Sequence, residues 1–240
     1  MDILVAHNFY QQPGGEDQST ATEVALLRAH GHNVIQYYLH NDAIRAMRPL
    51  DAASRAIWSR SSFYELQQLI RSHRPQVAHF QNTFPLISPS AYYAARAEGI
   101  PVIQTLRNFR LICGNALLFR NGKVCEKCIR KPIPWPGIVH KRYRGSLAAS
   151  GTVAAMLSVH RMVGTWKRSV DTYIALTEFS RQKLIEGGLP ADKIFVKYNF
   201  ADPALVRVLG DMSYLLGDCP LRRGWRPCWM RGGISTADCR

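Results

Sequence analysis

The stretch "PGGED" near the start of the chain combines two glycines with two acids: Gly14, Gly15, Glu16 and Asp17. It lies between a predicted strand and a predicted helix. Glycine lets another molecule approach the backbone closely, and the first turn of a helix offers unpaired N–H groups to an anion. This loop therefore suits a substrate phosphate, although a plain tight turn can have the same composition.

Polar side chains also follow three later predicted strands. "HFQNTFP" carries His79 and Asn82, and "TLRNFR" carries Arg107 and Asn108. Arginine suits bidentate contacts to phosphate or carboxylate. A further loop, "TEFS", offers hydroxyl groups that can cap a helix. Each of these residues can have a purely structural role. However, the carboxyl ends of parallel strands meet at one edge of an open sheet, so the loops together predict a binding cleft.

Three cysteines form a second candidate site. Cys125 and Cys128 enclose two residues, and Cys113 precedes Cys125 by twelve. A close cysteine pair is typical of structural zinc, which takes four tetrahedral ligands. Because no fourth cysteine lies nearby in the sequence, His140 is the nearest candidate for the fourth ligand. The alternatives are free thiols or a redox pair, while a disulfide framework is not expected in a cytoplasmic protein.

The elements that must position these residues alternate between strand and helix. Short apolar runs predict strands at residues 2–7, 33–39, 76–80, 100–106, 171–176 and 193–199. Amphipathic stretches between them predict helices, including one long helix at residues 146–166. Residues 41–61 show no clear pattern, and the stretch from Asn108 to Gly145 reads as an insertion. This rhythm predicts an α/β fold with a doubly wound parallel sheet.

Charge is concentrated in the insertion. The chain carries a formal net charge of +14, and the stretch from Arg107 to Arg144 holds ten Lys or Arg residues with Glu126 as its one acid. Such a patch attracts anionic partners, namely nucleic acid, anionic lipid or substrate phosphates. The longest apolar stretch is shorter than the ~20 residues of a membrane span. The chain opens on a strand-like run rather than a secretory leader, so a cytoplasmic location is expected, with contact at the inner face of the membrane.

Together these motifs resemble the N-terminal half of a family 4 (group 1) glycosyltransferase of the GT-B type. The resemblance rests on "PGGED", "HFQNTFPLISPSAYYAARAEGIPVIQTLRNFRLICGNALLFRNGKVCEKC" and "YIALTEFSRQKLIEGGLPADKIFVKYNFADP", and it covers residues 1–203. It implies a Rossmann-like, acceptor-side domain, which the family pairs with a C-terminal domain that binds a nucleotide-sugar. It also implies sugar transfer to a glycan or lipid-linked acceptor, with retention of configuration and with no metal for the chemistry, in glycan or polysaccharide biosynthesis.

The resemblance also implies roles for residues of the first loops. Gly14 and Gly15 would line the acceptor and donor-phosphate side of the cleft. His79 and Asn82 would lie at the acceptor wall of the same cleft. The catalytic residues themselves stay unassigned.

Two departures from the family pattern bear on activity and metal binding. Arg107 stands where the subgroup commonly has the histidine of "TLHN", so a histidine that typically faces the reacting sugar is missing. Arg142 stands where it commonly has the cysteine of "CYRGS", which removes the fourth cysteine of a zinc site. Glu178 and Glu186 match the spacing of the family's donor-domain carboxylates, but they fall on a helix of the first domain, so we treat that match as coincidence.

The last stretch, residues 204–240, has neither a helical nor a strand period. Codons compatible with "DMSYLLGDCPLRRG", read two nucleotides out of step, can encode the strand and turn that open the family's donor domain. We therefore expect a frame break between about Pro203 and Gly210, an out-of-frame and disordered tail, and a chain that lacks the donor domain and is inactive alone. The rival prediction is a non-enzymatic, zinc-containing protein that binds nucleic acid or another anion through the cysteines and lysines of the insertion. The leading prediction, a glycosyltransferase domain, includes no nucleic-acid partner.

Overall fold

The computed structural model describes residues 1–12 and 14–199, so the predicted tail at residues 204–240 lies outside the described residues. Its main feature is a six-stranded parallel sheet with the strand order β2-β1-β3-β4-β7-β8. These strands are β1 (Asp2–Phe9), β2 (Asn33–His40), β3 (Val77–Phe80), β4 (Val102–Leu106), β7 (Thr172–Ala175) and β8 (Ile194–Val196). The predicted α/β class with a parallel, Rossmann-like sheet is confirmed.

Helices cover both faces of this sheet. They are α1 (Gly15–Ala29), α2 (Pro49–Ile57), α3 (Arg60–His73), α4 (Ser90–Ala97), α5 (Trp135–Val139), α6 (Leu147–Met162), α7 (Thr165–Arg168) and α8 (Glu178–Glu186). Side-chain oxygens of Ser59, Ser146 and Thr177 accept backbone N–H bonds and so cap α3, α6 and α8. No described helix has the length and the apolar character needed to cross a bilayer.

Burial of β1 on both faces explains its unbroken apolar run. Ile3 and Val5 pack with Val24 of α1 on one face of the sheet. Leu4 and Ala6 belong to the larger core on the other face, which also holds Leu66, Ile87, Tyr92, Met156, Trp166 and Tyr173. Central strands of parallel sheets are covered in this way, so they show little alternation between apolar and polar residues.

Two helical segments differ from the sequence prediction. Residues 41–61, which lack a clear pattern, form a short 3-10 turn at Asn41–Ala46 and then α2. α2 has only nine residues, and although its apolar residues gather on one side, Ala56 alone is fully buried; the prediction that this stretch has no pattern overlooked its amphipathic character. The predicted long helix at residues 146–166 breaks into α6 and α7, because Gly164 takes a left-handed conformation with φ of 73°.

The predicted insertion is a compact unit on the main sheet. It contains a two-stranded antiparallel hairpin, β5 (Phe119–Arg120) and β6 (Lys123–Val124), followed by α5. Its first residues are buried in the core, where Ile112 packs beneath the end of α8. The backbone at Gly187 runs so close to Ile112 that a Cβ there would lie 2.1 Å from the isoleucine Cγ2. The insertion is therefore anchored at its base, while its outer half faces solvent.

Candidate functional site

The first loop is held to the sheet by Asp17. One oxygen of its carboxylate lies 2.7 Å from Nε2 of His7, and the other accepts the backbone N–H of Gly14 at 3.1 Å. The backbone N–H of Asn82 points at Nδ1 of His7, so the ring proton belongs on Nε2, where it is donated to Asp17. Burial lowers the pKa of His7 more than the nearby Asp17 raises it. Asp17 thus caps α1 and orients His7, which is a structural role.

Glu16 points into a different environment. Its Oε2 accepts the hydroxyl of Tyr10 at 2.8 Å and the amide of Asn108 at 3.4 Å. Burial raises the pKa of Glu16, although the Tyr10 hydrogen bond and the charge of Arg107 oppose that shift. A half-buried carboxyl group with a raised pKa at the carboxyl edge of a parallel sheet is a candidate for handling substrate hydroxyl groups.

A buried ionic network lies deeper in the same edge. Nη2 of Arg107 is 3.2 Å from Oε2 of Glu23, and that same oxygen accepts the side-chain amide of Gln81 at 2.8 Å. The ammonium group of Lys197, at the end of β8, contacts the other oxygen of Glu23. Burial alone would raise the pKa of Glu23, but the charges around it lower the pKa instead. The network joins α1, β3, β4 and β8.

His79 is buried beside this network. Its Nε2 lies 2.7 Å from the Thr105 hydroxyl and 3.2 Å from the side-chain nitrogen of Gln81. Because Gln81 can only donate from that nitrogen, Nε2 acts as an acceptor and the neutral ring carries its proton on Nδ1. Burial, followed by the charges of Lys197 and Arg107, lowers the pKa of His79 to about 4. His79 is therefore neutral at physiological pH, where the hydrogen bond and charge of Lys197, together with the charge of Arg107, favour the ionised form of Glu23.

Asn82 joins the ends of β1 and β3. Its side-chain amide donates to the carbonyl of Asn8 at 2.7 Å, and its side-chain oxygen accepts the backbone N–H of Phe84. The residue is buried, with both polar ends bonded to the backbone of neighbouring loops. The structure thus brings Asn82 to the predicted edge of the sheet but uses it to shape the loops.

An open depression of about 470 Å³ lies over this edge. Tyr10, Gln11, Gln12, Gly14, Arg45 and Arg144 line it. A Cβ placed on Gly14 or Gly15 would meet no atom within 4 Å, so the backbone there is open to an incoming molecule. The lining brings two arginines to the start of α1 and contains no acid, which suits an anionic group.

Sequence reasoning missed several residues of this edge. The sequence alone does not identify Tyr10, Glu23, Gln81 or Lys197, and Arg144 is predicted only as part of the basic patch, although all five contact predicted site residues or line the depression. Glu23 is buried on α1 together with the polar residues Asp17 and Thr20, and its type alone does not separate it from the acids of solvent-exposed helix faces. Gln81 lies between His79 and Asn82. Its position in a polar loop directly after a strand is the one sequence feature that could have predicted a missed site residue.

The zinc prediction receives no support from the structure. Within residues 1–12 and 14–199, no three His, Cys, Asp or Glu side chains come together as a metal-binding group. The thiol of Cys113 lies 2.9 Å from the side-chain oxygen of Asn115, and burial raises the pKa of Cys128, which favours the neutral thiol. The Arg142 side chain lies within 4 Å of the Cβ position of Gly137, as does the Cys128 sulfur. The guanidinium of Arg142 donates to the carbonyl of Phe119, and its charge acts on Cys128, so a cation lies near the thiol where the family pattern has a fourth cysteine.

The parallel sheet with polar loops at its carboxyl edge places the chain among Rossmann-like α/β domains. The sequence profile of Glycosyltransferase Family 4 matches residues 13–205, so the chain belongs to this family. No curated protein sequence gives a significant match.

Several solved structures are similar to the chain. UDP-GlcNAc 2-epimerase from Neisseria meningitidis, bound to UDP-GlcNAc, is 13% identical with a TM-score of 0.48, over 89% of this chain and 50% of that one. HepE from Anabaena, in complex with UDP-glucose, is 14% identical with a TM-score of 0.43, over 90% and 50%. S. aureus MnaA, in a co-structure with UDP, is 12% identical with a TM-score of 0.43, over 83% and 44%. The chain spans about half the length of these structures.

Proposed function

We propose that residues 1–203 form the acceptor-side domain of a glycosyltransferase that uses a nucleotide-sugar donor in glycan or polysaccharide biosynthesis. Membership of family 4 supports the reaction class. The observation that carries the proposal for this domain is the open depression beside Gly14, where Arg45 and Arg144 face the start of α1. This arrangement suits an acceptor that carries a phosphate group.

The chemistry of the edge divides between two groups of residues. Arg45 and Arg144 bind the anionic part of the acceptor. Glu16, held by Tyr10 and Asn108, accepts a hydrogen bond from an acceptor hydroxyl and so orients it. The inner network of Glu23 and Arg107 is buried and supports these loops from below.

Arg107 stands at the position of the histidine that the family resemblance leads us to expect, but it cannot take over the role of that histidine. Its three guanidinium nitrogens donate to Gln81, Asn199 and Glu23, and its side chain is only 6% exposed. An arginine held in this way cannot approach a sugar at the cleft surface. We propose that the 240-residue chain alone has no transferase activity, and turnover of a nucleotide-sugar by the purified chain would contradict this.

The cellular setting follows from the charge of the insertion. We place the protein in the cytoplasm, at the inner face of the membrane, where the exposed cations of the insertion, including Lys123, Lys127, Arg130 and Lys141, are attracted to anionic lipid. A membrane-borne, lipid-linked phosphate acceptor fits both this location and the arginines of the depression.

The acceptor proposal is tested with a short isoprenyl phosphate as the probe and the matching alcohol as its comparison. We expect the phosphate to bind and the alcohol to bind at least about tenfold more weakly, because two arginine contacts are lost. The Arg45→Ala/Arg144→Ala double variant should show the same loss. A matched control is Arg60→Ala/Arg74→Ala, which removes exposed arginines at the two ends of α3. Equal binding of phosphate and alcohol would contradict the proposal.

Gly15 offers a second test because its surroundings are empty. A Cβ at this position meets no protein atom within 4 Å, so Gly15→Ala should leave the melting temperature unchanged or slightly raised. If a ligand approaches the backbone here, the same methyl group should weaken binding of the isoprenyl phosphate. Unchanged binding in a stable Gly15→Ala variant would place the acceptor elsewhere.

A further inference from the structure

The outer half of the insertion exposes large apolar side chains. Of the seventeen such residues among those described, six lie between residues 117 and 139, and Val124, Val139 and Trp135 are 75%, 61% and 54% exposed. The other three are Leu117, Phe119 and Ile133. Isolated exposed apolar residues are common, but a dense group of this kind marks an interaction surface. We call residues 117–142 the docking surface.

Cations surround these apolar side chains. Arg120 and Lys123 lie on the hairpin next to Phe119 and Val124, and Lys127, Lys141 and Arg142 follow. The single acid, Glu126, forms a 2.9 Å ion pair with Lys183 of α8, which neutralises it. The charge of the docking surface is therefore strongly positive, and its partner must combine negative charge with an apolar phase.

The hairpin and α5 lie together on one side of the insertion. The guanidinium of Arg142, which follows α5, donates to the carbonyl of Phe119 on the hairpin. His140, at the end of α5, has a lowered pKa because of desolvation and the charges of Arg120, Lys127 and Arg142. The hydrogen bond from Arg142 to Phe119 therefore joins the end of α5 to the hairpin. Apolar and cationic side chains of both elements thus form one surface.

The end of the insertion reaches the depression at the sheet edge. Arg110 lies over the rings of Tyr143 and Phe84, at 4.9 Å from each ring centre, and this fixes the end of the insertion to the loop after β3. Arg144, which follows Tyr143 in the chain, lines the depression beside Gly14. A partner bound at the docking surface therefore lies close to the mouth of the candidate acceptor site.

We propose that the docking surface anchors the protein to an anionic lipid bilayer by inserting Phe119, Val124, Trp135 and Val139 among the lipids, while the surrounding cations bind the lipid phosphates. Aromatic and aliphatic side chains flanked by Lys and Arg are suited to the boundary between headgroups and acyl chains. Apolar insertion differs from simple attraction of a basic patch to charged lipid, because the apolar contacts persist when salt screens the charges. The proposal deepens the proposed function, in which the acceptor is carried by the membrane.

The test is co-sedimentation of the full chain with phosphatidylcholine vesicles with and without phosphatidylglycerol, at about 0.1 M and about 1 M salt, where the Debye length is about 10 Å and about 3 Å. We expect binding to the anionic vesicles, weakened but still measurable at high salt. Trp135→Ala and Phe119→Ala should each reduce partitioning about tenfold at both salt concentrations. Lys123→Glu should reduce it mainly at low salt. The matched controls are Tyr64→Ala and Arg60→Glu, which alter an exposed aromatic and an exposed cation of α3.

Three results would overturn the proposal. The first is a complete loss of binding at high salt together with an unchanged Trp135→Ala variant, which would indicate adsorption by charge alone. The second is the absence of binding to either vesicle. The third is a concentration-dependent dimer that Trp135→Ala dissociates, which would assign the surface to a second copy of the chain. No nucleotide-sugar or acceptor is present, so failure here leaves the result of the isoprenyl phosphate titration untouched.

Discussion

The guanidinium of Arg107 and the carboxylate of Glu23 form an ion pair with 3.2 Å between Nη2 and Oε2, although the two side chains are only 6% and 8% exposed. They are 84 residues apart in the chain, and they join the end of β4 to the middle of α1. A charged pair taken out of water must be fully bonded to be tolerated, and Gln81 and Lys197 complete the bonding. The pair therefore supports the floor of the candidate site.

Removing Arg107 should destabilise the fold. Arg107→Ala leaves the buried Glu23 with Lys197 and Gln81 as its remaining partners, and we expect a loss of about 2–4 kcal/mol in the free energy of unfolding by urea. The matched control is Arg96→Ala, which breaks a half-exposed pair with Asp171 and should cost less than about 1 kcal/mol. Equal losses in the two variants would show that the buried pair contributes no more to the free energy of unfolding than the half-exposed pair does.

Acidification should destabilise the protein through His79. Its folded pKa of about 4 lies below the ordinary value of 6.5, so the unfolded chain binds the proton more strongly. The contribution is fully present above about pH 6.5 and is lost as pH falls towards pH 4, by an amount of about 3 kcal/mol. His7, whose pKa burial also lowers, acts in the same direction.

Urea unfolding of His79→Gln between pH 7 and pH 4.5 measures this contribution. The variant should have a flatter dependence of the unfolding free energy on pH than the parent chain has. The comparison variant is His73→Gln, which changes an exposed histidine at the end of α3. An unaltered slope in His79→Gln would mean that the ring titrates as freely in the folded protein as in the unfolded chain.

Close packing at the end of α8 should make Gly187 intolerant of a methyl group. In Gly187→Ala the new Cβ would lie 2.1 Å from Cγ2 of Ile112, so either the helix end or the base of the insertion must shift. We expect a loss of about 2–3 kcal/mol, visible as a lower melting temperature. Gly151→Ala, in α6 with no atom within 4 Å of the new Cβ, should instead stabilise by about 0.5–1 kcal/mol.

A double-mutant cycle separates the clash at Gly187 from other effects. Ile112→Ala removes the offending methyl group, so Gly187→Ala should cost much less in that background than in the parent chain. Additive losses would indicate that a backbone shift at the helix end, and not the contact with Ile112, limits this position.

Metal removal should leave the protein unchanged. Because the three cysteines do not form a metal-binding group and Arg142 lies beside Cys128, we expect dialysis against EDTA to leave the melting temperature as it was. Stoichiometric zinc that survives purification, with melting lowered by the chelator, would contradict this. Arg142→Cys supplies a fourth thiol, and cobalt absorption in that variant but not in the parent would show that the arginine excludes the metal.

Strand positions could be predicted because burial on both faces leaves a local mark. The run of apolar residues in β1 reflects packing against α1 on one side and against the large core on the other. Helix α2 is amphipathic but only nine residues long, and it follows a 3-10 turn, so its short periodic stretch was overlooked. The break after α6 was equally hidden, because Gly164 ends the helix only when the following turn takes a left-handed backbone.

The sequence by itself determined the α/β class, the order of the strands along the chain, and the edge of the sheet at which the polar loops gather. Those features follow from periodicity and from the geometry of parallel strands, which are local properties. Only the tertiary structure decided that Asp17 and Asn82 serve the loops, that Arg107 turns inward to Glu23, and that Glu16 meets Tyr10 and Asn108. Contacts of this kind join residues far apart in the chain, and burial then sets their charge states, so no local pattern encodes them.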